Sequence, residues 1–199
     1  MQTMKTASVR ERICLSCRDK TCCSYYTVTL TAADVIRIAE AMKLAPEEFV
    51  TCKSLPEGEE DGFLLTPEGP NYCCVLARRS LADAEASPCI FLLRMNDRHG
   101  LCGLGDLRPG QCRAFPAYLA DGFVALAHYP GGCVRTWSYG DLDLEVERNE
   151  LTRIKAEETL HGELVAEWNK AVRASGRERS FGEFCAFLVN KLQSREDAR

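Results

Sequence analysis

The chain has little of what most function classes require. Lys and Arg number 25 against 29 Asp and Glu, a formal charge of −4 over 199 residues. Without a basic excess there is no electrostatic footprint for a polyanion, so nucleic acid is not expected as a partner. No run of about eighteen apolar residues occurs, so no transmembrane helix and no membrane partner are expected. The opening MQTMKTASVRERICLSC has neither an apolar h-region nor a small-residue cleavage site. It does not read as a secretory signal, and a cytoplasmic location follows as the expectation. Histidine is scarce, at 3 residues, and an enzyme reading needs a nucleophile or general base, for which no Ser-His-Asp or HExxH arrangement is present. Gly100, Gly103 and Gly105 lack the strand–GxGxxG–helix setting of a dinucleotide site and read as turns that space cysteines. No internal repeat of fixed period stands out.

Against these absences stand 12 cysteines. In a reducing compartment, clustered thiols read as metal ligands before they read as disulfides. Four lie within ten positions: Cys14-x2-Cys17-x4-Cys22-Cys23. A C-x2-C pair is a tight bite for one metal ion. Adjacent side chains on extended backbone point to opposite faces, so Cys22-Cys23 is expected to serve two metal centres or one polynuclear cluster. A second stretch carries Cys89, Cys102 and Cys112 among Gly100, Gly103, Gly105 and Gly110, and Cys133 follows Pro130-Gly131-Gly132. Glycine permits close backbone approach and lets amide N–H groups point at thiolate sulfur. Residues 10–23 and 89–115 each carry a net charge of +2 in a chain of −4. Local cations of this kind stabilise an anionic thiolate centre and lower thiol pKa values.

Other residues are open to blander readings. Cys73-Cys74 could add ligands, form a redox pair or simply pack. Cys52 and Cys185 sit beside apolar residues and are expected in helices, as core. His128 and His99 could each supply a nitrogen ligand, although surface or hydrogen-bonded roles are commoner. Asp106 is the only acid near the motifs that invites a catalytic reading; a turn carboxylate is the plainer one. Tyr25 and Tyr26 are expected to shield the first cluster.

Local signals give a coarse secondary structure. Residues 1–13 read as a loose polar arm. YYTVTL (25–30) has strand composition. Thr31 reads as the N-cap of a helix carrying Val35, Ile38, Ala39 and Met42, which stops before Pro46. Pro46 opens a short helix. Phe63–Leu65 reads as a short strand and 75–86 as a short helix. Asp121-Gly122 is a hairpin turn between two strands. From about Leu142 a long amphipathic helix presents Leu144, Leu151, Ile154, Leu164, Val165, Trp168 and Val172. It should end at Ser175-Gly176. Ser180-x-x-Glu183 is a capping box for a last helix bearing Phe181, Phe184, Cys185, Leu188 and Leu192. The expected fold class is α+β. Residues 1–140 form a small cysteine-rich metal-binding domain of short strands and loops. Residues 141–199 form a C-terminal helical extension packed on it and available to a protein partner.

The CxxC-then-CC opening, Cys89-Ile90-Phe91-Leu92 and Arg108-Pro109-x-x-Cys112-Arg113-x-Phe115-Pro116 together resemble the YkgJ-type cysteine-cluster family. That family is described as a zinc- or iron-chelating domain with a CxxCxxxCC motif. The resemblance covers roughly residues 14–133. This chain departs from the pattern by placing four residues, Arg18 to Thr21, before the CC pair instead of three. The resemblance implies Cys14, Cys17, Cys22, Cys23, Cys89, Cys102, Cys112 and Cys133 as metal ligands. Some longer relatives, similar in the cysteine motifs, are flagellin lysine methylases thought to use an iron–sulfur cluster. Here no separate S-adenosylmethionine fold is visible, nor the CxxxCxxC spacing of radical S-adenosylmethionine enzymes.

Thiolate ligands suit zinc and iron–sulfur clusters alike. Structural zinc sites usually pair two C-x2-C bites, and one is present here. Single cysteines placed after turns suit an iron–sulfur cluster, 4Fe-4S included. The expected function is a metal-binding protein holding zinc or an iron–sulfur cluster. The alternatives are an iron–sulfur-dependent protein-modifying enzyme and a structural zinc domain for protein interaction; the sequence leaves the question of catalysis open.

Overall fold

Capping residues and turns written into the chain position most of its elements. The computed structural model describes residues 14, 17, 21–80, 87–96, 99–127, 133 and 136–196. The helices are α1 (Thr21–Tyr25), α2 (Ala32–Met42), α3 (Gly110–Ala114), α4 (Leu144–Ser175) and α5 (Phe181–Glu196). The strands are β1 (Val50–Ser54), β2 (Phe63–Leu64), β3 (Asn71–Leu76), β4 (Leu92–Asn96), β5 (His99–Cys102), β6 (Ala117–Ala120) and β7 (Phe123–Leu126). Short 3-10 turns cover Pro46–Glu48, Gly105–Leu107 and Tyr139–Asp141. The fold is α+β, with small antiparallel sheets and long helices at the C-terminal end. No helix among the described residues is long and apolar enough to cross a membrane. The expected arm over 1–13, residues 81–86 of the expected short helix, His128 and the Pro130–Gly132 turn lie outside the described residues.

The chain divides into two compact units. The first takes its residues from 1–26, 79–105 and 114–153, and the second from 27–78, 106–113 and 154–199. In the second, β3 is the central strand of a sheet ordered β1-β3-β2. Both pairings are antiparallel, with Cys52 opposite Cys74 and Phe63 opposite Tyr72. Thr29 adds a single antiparallel bridge to Val75. Thr31 caps α2 as expected, its side chain accepting from Asp34 N while Asp34 accepts from Thr31 N. The core joins Val35 and Ile38 of α2, Phe63 and Leu64, and Leu164, Trp168 and Val172 of α4 to Phe184 and Leu188 of α5. The Phe63 ring stacks on Phe184 with centroids 3.9 Å apart. Two polar groups lock β2 in place. Trp168 Nε1 donates to Leu64 O at 2.7 Å, and Asn169 bonds both Leu64 N and Gly62 O at 2.8 Å. Gly176, at φ +62°, closes α4. The Ser180–Glu183 capping box then starts α5. The Ser180 amide, and next the Arg179 guanidinium, hold the Glu183 carboxyl below its ordinary pKa.

The first unit contains the hairpins β4-β5 and β6-β7 around buried Phe91, Leu92, Leu104 and Ala117. Asp121 and Gly122 both take positive φ in the β6-β7 turn, as the sequence predicts for a tight hairpin.

Four local expectations are corrected. YYTVTL is not a strand: Tyr25 ends α1, Tyr26 N still donates to Cys22 O at 3.1 Å, and strand pairing shrinks to the bridge at Thr29. Residues 75 and 76 finish β3 and do not begin a helix, because they pair with Thr51 and Val50. Cys52 lies in β1, where β-branched Val50 and Thr51 favour extended backbone, and not in a helix. Leu144 is 45% exposed, so the buried stripe of α4 starts beyond its first turn.

Candidate metal centre

A backbone bond in the first unit ties Cys23 to the second cysteine stretch. Cys17 N donates to Cys14 O at 3.3 Å, which brings the two cysteines of the C-x2-C pair together. Cys22 and Cys23 lie in α1, with sulfurs 4.0 Å apart. This overturns the expectation that the pair points to opposite faces. That argument assumes extended backbone, whereas successive side chains on a helix diverge by about 100° and not 180°. The spacing suits one ion, since two thiolates on a tetrahedral zinc with bonds of about 2.3 Å sit about 3.8 Å apart.

Cys89 joins this group because its N–H donates to Cys23 O at 2.8 Å. The turn bearing Cys89 continues into the β4-β5 hairpin. Leu92 N donates to Cys89 O at 3.0 Å, and Leu92 is the register partner of Cys102. Gly103 N donates to Phe91 O at 2.8 Å. A Cβ at Gly103 would meet that same oxygen at 3.2 Å, a tight contact that glycine avoids. Cys22, Cys23, Cys89 and Cys102 are thus linked through α1 and one hairpin, and Cys14 and Cys17 belong to the same unit. Cys133 belongs to the same unit and is half-buried.

The sequence reading missed Arg79. Its N–H donates to Pro88 O at 2.8 Å and its guanidinium to Ile90 O at 2.6 Å. It therefore clamps the turn carrying Cys89 from both sides and brings a fixed positive charge to it. The signal available was the Arg78-Arg79 pair after an apolar strand, which carries no ligand spacing of its own.

Cys112 sits in α3 and belongs to the second unit. Its segment is tied to the start of α2. Asp34, only 1% exposed, accepts from Gly110 N at 3.0 Å and from the Arg37 guanidinium. Arg37 also donates to Arg108 O at 3.4 Å. Gln111 Oε1 accepts from Thr29 N at 2.8 Å. The Arg108-Pro109-Gly110-Gln111-Cys112 turn is therefore held by Thr29, Asp34 and Arg37. His161 of α4 accepts from Ala32 N through Nδ1 at 3.2 Å, and burial holds its pKa below the usual histidine value.

Several secondary candidates resolve differently. Tyr25 is 61% exposed and does not shield the cluster. Asp106 is exposed on the Gly105–Leu107 turn. Among the described residues, no group of three or more His, Cys, Asp or Glu side chains is arranged to hold a metal ion. Residues 15–16, 18–20, 97–98, 128–132 and 134–135, which neighbour the first-unit cysteines in sequence, lie outside the described residues. Comparison with protein-family models, with curated proteins and with solved structures gave no match.

Proposed function

We propose that the protein is a cytoplasmic metal-binding protein of the YkgJ-type cysteine-cluster kind, holding zinc or an iron–sulfur cluster through Cys14, Cys17, Cys22, Cys23, Cys89, Cys102, Cys112 and Cys133. The observation that carries this reading is the Cys22–Cys23 sulfur pair at 4.0 Å, with Cys89 bonded to the same Cys23 backbone at 2.8 Å. Two thiolates at that spacing bite a single metal atom, as they would on tetrahedral zinc or on one iron of a two-iron cluster. Arg79 supports the assignment by setting a cation at the Cys89 turn, where it would offset thiolate charge. Bound metal would supply either a fold-stabilising crosslink or a redox centre. The chain's own part is to gather and hold thiolates.

The test is metal and acid-labile sulfide content, with a visible spectrum, on untagged protein purified without oxygen. Iron with equimolar sulfide and a brown colour identifies a cluster; zinc without sulfide identifies thiolate zinc. Cys22→Ser and Cys23→Ser should each lower bound metal several-fold, as should Cys89→Ser. Full metal retention in all three variants overturns the reading. Cys185→Ala should leave metal content unchanged.

A further inference from the structure

The second unit holds four more cysteines, none of them in the ligand set proposed above: Cys52 on β1, Cys73 and Cys74 on β3, and Cys185 on α5. All four are free thiols. We propose that Cys52 and Cys74 form a redox site, a directly opposed thiol pair that closes to a reversible cross-strand disulfide.

The ladder itself carries the argument. Cys52 and Cys74 are register partners. Ala77 N donates to Phe49 O at 2.7 Å and Leu55 N to Asn71 O at 2.8 Å, so the odd-numbered positions of β1 form the hydrogen-bonded pairs. Cys52 and Cys74 therefore make a non-hydrogen-bonded pair. The Cys74 carbonyl agrees, for it turns to the other edge and accepts from Leu30 N at 2.9 Å. At such positions the Cα atoms approach to about 4.5 Å and both side chains leave from the same face. Disulfides bridge Cα atoms roughly 4.4–6.8 Å apart, so the pair can close without moving backbone. It lies at the short end of that range. A bond closed there is strained, and strained disulfides are the easily reduced, regulatory ones.

Neighbouring thiols narrow the choice. Cys73 faces the other side of β3, with its Sγ donating to Lys53 O at 3.6 Å, so it is not the partner of Cys52. Cys185 is buried near both members of the pair. Burial, with lesser repulsion from Cys185, Cys73 and Cys52, pushes the Cys74 thiol well above its usual pKa. Burial, with Glu47 and Cys52, pushes Cys185 up to about 12. Cys52, Cys74, Cys185 and their flanking residues are all described, and no group of three donors there is arranged to hold a metal ion. The direct opposition of Cys52 and Cys74 across the ladder is the geometry that a disulfide takes.

The oxidant is a peroxide, and Cys52, the more exposed member, meets it first. The Cys52 thiolate attacks one peroxide oxygen, the O–O bond breaks, and the departing hydroxide takes the thiol proton to become water. Cys74 then attacks the sulfur of the Cys52 sulfenic acid. An S–S bond forms, the S–O bond breaks, and a second water leaves with the Cys74 proton. Two thiols give up two electrons and one peroxide becomes two waters. A dithiol reductant reverses the change. The second step is slow, because Cys74 is held as the neutral thiol.

The test treats the full-length protein, with the metal it carries on purification, with hydrogen peroxide. Free thiols are then alkylated and the chain is cut with trypsin. Lys43, Lys53 and Arg78 separate peptide 44–53, with Cys52, from 54–78, with Cys73 and Cys74. The expected product is these two peptides joined and lighter by two hydrogens, with fragmentation placing the link on Cys74. Dithiothreitol should release it, Cys73→Ser should retain it, and Cys52→Ser should abolish it. Alkylation of both Cys52 and Cys74 after prolonged oxidation overturns the proposal. So does a link from Cys52 to Cys73 or Cys185, or a link that forms only in urea. Metal content measured on the same sample reports separately on the metal centre.

Discussion

Asp34→Ala tests how the segment bearing Cys112 is held. The carboxylate is 1% exposed and serves three donors: Thr31 N at 3.1 Å, Gly110 N at 3.0 Å and the Arg37 guanidinium. Alanine leaves the Gly110 amide without its acceptor and removes one half of a buried ion pair. A hydrogen bond to a charged group contributes about 1.5–3 kcal/mol, and breaking a buried pair costs about 3–5 kcal/mol. Arg37 keeps 24% side-chain exposure and a second carboxylate, Glu157, at 3.8 Å, which places the loss near the low end, about 3 kcal/mol. With a urea slope of about 2 kcal/mol/M, the unfolding midpoint should fall by about 1.5 M. The assay is urea unfolding followed by far-ultraviolet circular dichroism and by tryptophan emission. Thr31→Ala is the internal control. It removes only the hydroxyl that accepts from Asp34 N, and should cost about 1 kcal/mol. If Asp34→Ala shifts the midpoint no further than Thr31→Ala, the carboxylate is not what ties α2 to the Arg108–Cys112 turn.

Two further tests follow from buried polar groups. His161 is held below its ordinary pKa, so the unfolded chain binds the proton more readily; its stabilising contribution is complete above the unfolded value of about 6.5 and is lost as pH falls below it towards the folded value. In His161→Asn the amide oxygen can replace Nδ1, so the stability difference from wild type should change between pH 7 and pH 5; a pH-independent difference removes His161 as the source. Asn169→Leu leaves Leu64 N and Gly62 O without partners in the core and should cost about 2–3 kcal/mol in urea unfolding, and a cost under about 0.5 kcal/mol would show that β2 does not depend on the amide.

The parts of the fold that were legible in the sequence are those decided within one turn of chain. Thr31, Ser180-x-x-Glu183, Asp121-Gly122 and Gly176 act on backbone groups four or fewer residues away, and each forms as read. The misread segments are those whose state depends on distant partners. Val75 and Leu76 are ambiguous alone, and become strand because β1 lies alongside. The Cys22-Cys23 pair was read with the wrong period, since nothing local distinguishes a five-residue helix from extended chain there. Asn169 could have been found, because it follows Trp168 inside the apolar stripe of α4, where a polar residue needs a partner. Asp34 has one local role, as the third residue of the α2 capping box. Its second role, accepting from Gly110, joins positions 76 residues apart and leaves no periodic trace. Of the candidate centre, the two cysteine-rich stretches were legible, and the bond from Cys89 to the Cys23 backbone and the clamp from Arg79 were not.

The central place of β3 bears on how the chain avoids self-association. Asn71–Leu76, with the sequence NYCCVL, is uncharged, rich in strand-favouring residues and free of glycine and proline. Such a segment, left open, would recruit copies of itself. One edge of β3 is covered by β1, and the other by β2 and the bridge from Thr29. The rims are the two-residue β2, too short to template a neighbour, and β1, whose exposed Lys53 is the kind of residue that discourages one from adding on. The stickiest six residues of the sheet are thus its most enclosed, and aggregation would wait on the loosening of β1.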